Sequence, residues 1–508
     1  MPQQSSSQAL TFLLGAVSSV ALVYVVSKLK KDARGGRLTQ GEHQDEDHRL
    51  QLWEEAKESP RLVTNIPGTK SQSMIDRLSK HECPAITARR ARRADSLGAA
   101  ATDPIVWHSA INATVEDIDG NTFIDLTSGF GVATLGHSNP SVLKAAEEAL
   151  RKPLIHAMGD AFADTARVEL LEELATFLPE LPKGILGCSG SDAVQAALKT
   201  AVLATGRQGV LAFNGGYHGL AHGSLAPTAY HKTDFREPFE GQIGSHVTFA
   251  PFGELPLPSL ANANPPIGAV IVEPIQGRGG IRVASASWLR ALREHCDKEG
   301  ALLIYDEVYT GFGRTGTWFA FQGATDGNDD STETRSPLPD LICLGKAMGG
   351  GFPISVCLGT KMVMDSWGAS KGESLHTQTF LGNPLGCAMA LASLRELKRI
   401  GAPSLAKRKE AYLKSLLSKH GLLAGDKIHR ENMIRGRGLM LALRVPDPLY
   451  AMAALLRNGV IALPCGEGGD FALALVPPLT IPESQLDYAV EILARICNEA
   501  GKQAQSAK

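Results

Sequence analysis

The chain has 508 residues, 44% of them apolar and 20% charged, with a formal net charge of −2. That composition suits a globular enzyme with two or three compact units and a large core, and near-neutrality excludes the basic footprint of a nucleic-acid-binding domain. Eight cysteines with no C-x-x-C pair exclude an obvious metal site or disulfide framework and point to a reducing compartment.

In chain order, the first feature is an uncharged apolar run from Leu10 to Val26, followed by Lys28, Lys30, Lys31, Arg34 and Arg37. A run of about 17 residues is at the short end of what a membrane-spanning helix needs, and a basic flank predicts that its side stays in the cytosol. The expectation is a single-pass membrane anchor over residues 1–27 with the enzyme facing the cytosol. The alternative is a cleaved signal or a targeting segment, for mitochondria among others. Residues 28–64 read as a polar linker, and Arg89, Arg90, Arg92 and Arg93 as a solvated helix face.

The stretch V-E-D-I-D-G-N-T-F-I-D-L (115–126) predicts two strands around an Asp-Gly turn. Further on, C-S-G-S-D-A-V-Q-A-A-L-K puts Ser189, Gly190 and Ser191 at the mouth of a helix whose apolar positions are Val194, Leu198 and Ala201. Free N–H groups and the helix dipole make such a mouth an anion site; taken alone, the motif reads first as an ordinary N-cap by Ser191. Three apolar runs follow, I-G-A-V-I-V-E (267–273), A-L-L-I-Y-D (301–306) and D-L-I-C-L-G (340–345), the first two separated by a helical pattern. Near-continuous apolar strands between helices predict an α/β fold with a mostly parallel sheet covered on both faces. Chemistry in such sheets gathers at the carboxyl ends of the strands, where these runs present Glu273, Asp306 and Lys346. A buried Asp306 needs a cationic partner, which a protonated pyridine would supply. Lys346 is either a solvated surface residue or a nucleophile with a lowered pKa, suited to a Schiff base. Residues 323–337 read as a surface loop, and from residue 393 onward helices alternate with short strands in a smaller α+β unit.

The ordered blocks D-G-N-T-F-I-D, G-H-S-N-P, S-G-S-D-A, G-G-Y-H-G, V-E-P-I-Q-G, Y-D-E-V-Y-T-G-F-G-R-T-G, L-G-K-A-M-G-G-G-F-P and T-F-L-G-N-P-L-G-C resemble the class III pyridoxal-phosphate-dependent aminotransferases, of the 4-aminobutyrate and ornithine type. The resemblance runs over roughly residues 65 to 500. It implies the fold-type-I architecture of pyridoxal-phosphate transferases, with a large cofactor-binding domain over 131–392 and a small domain built from 65–130 and 393–508. It also implies pyridoxal 5'-phosphate as cofactor and a homodimer with shared active sites. Lys346 would form the Schiff base and shuttle the proton, and Asp306 would hold the pyridine N–H. Tyr217 would stack on the ring with His218 beside it, and Ser189, Gly190 and Ser191 would cradle the phosphate. Glu273 and Gln276 would line the ring's hydroxyl side, and Thr379 would reach the phosphate from the neighbouring subunit.

The departures concern substrate. Leu220 stands where an arginine follows Y-H-G in those relatives, Arg278 stands at their gate glutamate, and Leu473 is aligned to their second arginine. Arg278 is then either a replacement carboxylate ligand or a structural ion pair. Failing a carboxylate ligand, the substrate would be a hydrophobic amine or carry a neutral side chain, accommodated by Phe130 and Leu220. The function implied is amino transfer from an amine or amino acid to a 2-oxo acid by a ping-pong route. An amino-acid racemase or epimerase of the same family is the alternative, and a non-catalytic membrane scaffold a more distant one.

Overall fold

The computed structural model of the protein describes residues 60–83, 86, 105–324, 337–423, 433–467 and 469–506. The expected anchor over 1–27, most of the 28–64 linker, the Arg89–Arg93 cluster and residues 325–336 of the polar loop lie outside them. The expectation of a membrane-anchored enzyme is corrected. Among the described residues no helix is long and apolar enough to cross a membrane, and the location drawn from the apolar segment, membrane or organelle, is withdrawn. The longest of these helices, Glu483–Ser506, interrupts its apolar residues with Glu483, Asp487, Glu491 and Arg495, the pattern of a helix with one face in water.

The first three strands are β1 (Trp107–Ile111), β2 (Thr114–Asp117) and β3 (Thr122–Asp125), paired antiparallel. The β2–β3 turn forms because the Asp117 carboxylate accepts from the backbone N–H groups of Asp119 and Asn121, each at 2.9 Å, while Gly120 takes φ +90°. Asp119 itself accepts from the N–H groups of Lys70 and Ser71 at the start of helix α1 (Thr69–Leu78).

The central sheet contains β4 (Lys183–Gly187), β5 (Gly209–Phe213), β6 (Val247–Ala250), β7 (Ile267–Val272), β10 (Leu302–Asp306), β11 (Leu341–Leu344) and β12 (Ser355–Gly359); β8 (Ile275–Gln276) and β9 (Arg282–Val283) form a separate ribbon. Its order is β4-β12-β11-β10-β7-β5-β6, parallel from β11 to β6 and antiparallel on both sides of β12. The strands read as unbroken apolar runs because both faces are covered. Alternate residues go to opposite layers. Ala269, Ile271 and Ile304 pack against Ala193, Val194 and Ala197 of α2 (Gly190–Thr205). Val270, Val272, Leu303 and Tyr305 share the other layer with Trp288, Leu289 and Leu292 of α3 (Ala286–Glu299).

Near the end of the chain, β13 (Ile434–Arg437), β14 (Met440–Leu443), β16 (Leu463–Cys465) and β17 (Ala472–Leu475) form an antiparallel sheet, with α4 (Pro448–Arg457) and α5 (Glu483–Ser506) beside it. A short strand, β15 (Val460–Ile461), leaves that group and pairs in parallel with β3, so both ends of the described chain share one sheet.

Arg314, on the loop after β10, is fully buried and clamps these parts together. Its guanidinium donates to the carbonyls of Leu439 and Pro477 and to the hydroxyls of Ser128 (3.2 Å) and Thr134 (2.9 Å). Burial pushes its pKa down to about 10, against the opposing influence of Tyr309 and Asp125. The clamp holds an unusual loop in which Ser128, Gly129, Phe130 and Gly131 all take positive φ, 48°, 54°, 63° and 81°. Non-glycine residues resist that region by roughly 1–2 kcal/mol each, so the loop persists only because hydrogen bonds over-determine it. Arg314→Met is expected to strand four acceptors and destabilise the protein by about 3 kcal/mol or more. Thermal unfolding followed by circular dichroism should show a midpoint several degrees lower; an unchanged midpoint would refute the clamp.

Candidate active site

A cavity of about 870 Å³ opens at the carboxyl ends of the central strands. Glu273, Asp306 and Lys346 all line it, each delivered by the end of a parallel strand, β7, β10 and β11. The strand register sets β7 and β10 level (Tyr305 opposite Val272) and Asp306 opposite Cys343 on β11.

Each charge of the cavity floor is answered differently, with Glu273 and Asp306 buried and Lys346 half-buried. Asp306 accepts from His218 Nδ1 at 2.8 Å and from the Val308 N–H at 3.1 Å; His218 is itself buried, its N–H held by the Thr228 hydroxyl at 3.0 Å. The Glu273 carboxylate accepts from the N–H groups of Tyr217 (2.8 Å) and Gly277 (3.1 Å), fixing the Tyr217 and Arg278 turns. Burial foremost, with the charge of Asp306 adding to it and His218 opposing, pushes the Glu273 carboxyl up to about 7. Lys346 lies with Nζ 4.5 Å from the centre of the Tyr309 ring. Among the described residues it makes no ion pair, and its backbone takes φ +35°. Burial lowers its pKa from the ordinary lysine value, with Arg278 contributing and Asp306 and Glu273 opposing. A lysine in this state keeps a larger fraction of free amine at neutral pH than a solvated one.

At the mouth of α2 the cap is Ser189, not Ser191. Its hydroxyl accepts from the Asp192 N–H at 3.3 Å, and the Asp192 carboxylate accepts in return from the N–H groups of Cys188 and Ser189. Gly190 and Ser191 are left with N–H groups that bond to no other described residue, and both line the cavity beside Ser189. Tyr217 and His218 line it too. The Arg278 guanidinium carbon stands 4.5 Å from the Tyr217 ring centre and 5.4 Å from that of Tyr230. Among the described residues Arg278 makes no ion pair. That leaves the structural ion pair expected as its alternative role without a partner there.

Several of the expected residues lie off the wall of this cavity. Gln276 does not line the cavity; its amide donates to the Asn214 carbonyl at 2.8 Å and braces that turn. Leu220 points to solvent, 46% exposed, because Gly219 (φ +113°) turns the chain just before it. Leu473 is fully buried in the main core with Leu475, while the alternate residue Ala474 faces the cavity. The two-residue period of β17 therefore shifts the wall position by one. Thr379 is exposed and away from the cavity of its own chain. Phe130 does line it, from the positive-φ loop. Sequence reading missed Val308, Tyr309, Tyr230 and Trp107 on the wall. Val308 lies in the turn just past the strand that ends at Asp306, where strand alternation no longer applies. Tyr230, thirteen residues past Tyr217 on a loop, carried no signal either.

Pyridoxal phosphate fits these residues. The two free N–H groups at a helix mouth suit a dianionic phosphate, the orphaned Lys346 amine suits a carbonyl, and Asp306 has acceptor sites beyond those His218 and Val308 use.

Comparisons with known proteins agree. The family described as Aminotransferase class-III matches residues 98–497. The acetylornithine aminotransferase of Methanosarcina mazei is 35% identical over 391 residues, covering 77% of this chain and 91% of the relative. The LysW-aminoadipate semialdehyde/glutamate semialdehyde transaminase of Sulfurisphaera tokodaii is 36% identical over 378 residues, covering 74% and 90%. Both are named for amino transfer, not racemisation. Among solved structures, the ornithine aminotransferase of Toxoplasma gondii, with pyridoxal phosphate at partial occupancy, matches with a TM-score of 0.71 at 23% identity. It covers 92% of this chain and all of the other, a likeness of fold.

A Cβ at Gly219 would stand 2.2 Å from the Ser191 Oγ, at a backbone angle side chains rarely adopt. Gly219→Ala is expected to displace Ser191 from the helix mouth and raise the dissociation constant for pyridoxal phosphate about ten-fold or more, the equivalent of ~1.4 kcal/mol. Absorbance titration of the apoprotein measures it. An unchanged constant would remove Ser191 from the phosphate site.

Proposed function

The chain belongs to the class III aminotransferases, and on that premise we propose how its residues divide the work. The protein is a pyridoxal-phosphate-dependent aminotransferase that moves an amino group from an amine or amino acid to a 2-oxo acid. When bound, the cofactor supplies an electron sink through its protonated ring.

Lys346 would hold the cofactor through Nζ and, once free, would serve as the base that moves the proton at the substrate carbon. Its lowered pKa supports this role. Asp306 receives the ring N–H, and His218 keeps that carboxylate oriented. Gly190 and Ser191 would bind the phosphate through the α2 mouth and Tyr217 would stack on the ring, with Glu273 accepting from the Tyr217 N–H to hold that turn in place. The observation that carries this reading is the convergence of Asp306, Glu273 and Lys346 with the two free N–H groups of α2 on one cavity. Residues 131–392 are then the cofactor-binding unit, with 65–130 and 393–508 closing over it, a division that the β15–β3 pairing supports.

Arg278 takes the substrate carboxylate. It is aromatic-stacked and oriented, and it makes no ion pair among the described residues. The working assembly is a homodimer in which Thr379 approaches the neighbour's phosphate. The exposed apolar side chains of Met158, Phe162, Leu375 and Phe380 support this, since they stand on two segments that the Thr377–Asp160 hydrogen bond joins, and apolar side chains exposed together mark an interaction surface. Acetylornithine, named for one relative, is a donor to test.

Lys346→Ala is expected to abolish turnover, and with it the visible absorbance band that borohydride bleaches in the wild type; normal turnover would sink the assignment. Arg278→Ala is expected to raise the KM for a 2-oxo acid roughly ten-fold or more, since a charge-assisted contact contributes about 1.5–3 kcal/mol. Its cofactor band should persist. Wild-type KM for pyruvate and 2-oxoglutarate alike would make Arg278 a packing residue only.

A further inference from the structure

We infer that the cavity selects amino donors with an extended apolar chain and no second carboxylate, an inference that rests on the aminotransferase reading above and deepens it. Helix α4 carries the observation. Its Leu449, Met452 and Leu456 follow i, i+3, i+7 spacing, so they form one stripe, and all three line the cavity half-buried. The positions flanking that stripe, Ala451 and Leu455, are buried in the main core. The helix thus has two apolar faces, one packed on protein and one left for whatever fills the cavity.

The mouth repeats the pattern. Trp107, Phe130 and Phe471 line it and remain 44%, 60% and 44% exposed. Ala474, on the cavity side of β17, brings no charge and leaves room.

Charge is scarce by comparison. Among the described lining residues Arg278 is the single arginine and Lys346 the single lysine, while His218 is committed to Asp306 and His231 stands 3.4 Å from the Asp234 carboxylate. One carboxylate can therefore be matched at Arg278. A second, set against α4, would be desolvated without a partner. At about 870 Å³ the cavity is in the upper part of the roughly 300–1,000 Å³ usual for small-molecule sites. A donor with a long alkyl or aryl arm would fit beside the cofactor, its chain replacing water along the Leu449–Met452–Leu456 stripe.

The test uses the holoenzyme with pyruvate as acceptor and straight-chain primary amines from propylamine to octylamine, with glutamate as the dicarboxylic donor. The expected result is a rise in kcat/KM of about three- to four-fold per added methylene, with octylamine well ahead of glutamate. Met452→Glu should cut the octylamine-to-propylamine ratio ten-fold or more, and Met452→Leu should keep it, with cofactor absorbance reporting that both variants fold. A flat series, glutamate ahead of octylamine, or a ratio that Met452→Glu does not move each overturns the inference while amino transfer stands. Failure to aminate pyruvate from any donor removes the aminotransferase reading itself, and the inference with it.

Discussion

Asp306 and Lys346 stand at the ends of neighbouring parallel strands, Asp306 buried and Lys346 half-buried on the cavity floor, and Glu273, also buried, stands one strand further along. In such a setting an uncompensated charge costs several kcal/mol, so the surroundings are arranged around pairing them. His218 is buried and oriented to meet Asp306. The turns carrying Tyr217 and Gly277 come close enough to donate their N–H groups to Glu273. Lys346 has an aromatic face and no acid within bonding reach among the described residues. It is the one member of the group left short of compensation, and the direction of its pKa follows from that. The reactive amine and the tightly held loops are consequences of the same desolvation.

A second arrangement keeps the cavity wall where it is. Asp125, fully buried, accepts from the Thr127 N–H, the Thr127 hydroxyl and the Gly129 N–H. Arg314 holds the adjoining Ser128 hydroxyl, which donates in turn to the Val476 carbonyl at 2.7 Å. Together these bonds offset a run of positive-φ residues that would otherwise relax, and they leave Phe130 projecting at the mouth. Strain at this loop is therefore tied to the site and balanced by hydrogen bonds that reach the far end of the chain.

Floor and wall of the cavity have different origins. The charged floor comes from the strand ends of the central sheet, where parallel packing leaves little freedom. The apolar wall comes from Trp107, α4 and Phe471, at the two ends of the described chain. Substitutions in the wall change what fits without disturbing the buried charges, whereas substitutions in the floor disturb both. Chemistry and selectivity are in this sense carried by separate segments.

Much of the floor was legible in the amino-acid sequence. Apolar runs ending in Glu273, Asp306 and Lys346, and a serine–glycine turn opening a helix, are local patterns, and parallel sheets collect such ends at one edge. Which serine caps the helix was less legible, because that depends on Asp192 closing the turn from within. Three further residues lie off the cavity wall for a common reason. Gln276, Leu220 and Leu473 were judged by position along the chain, but a strand reverses its side chains at each residue and a glycine turn redirects the next one. A shift of one place thus moves a residue from wall to core. The apolar stripe of α4 was visible as spacing but not as a surface, since α4 has two apolar faces and only packing decides which meets the core. Sequence alone determined the chemistry, because the reacting groups are few and locally marked. Tertiary structure decided the shape of the space around them, because that space is enclosed by residues hundreds of positions apart whose meeting no local pattern encodes.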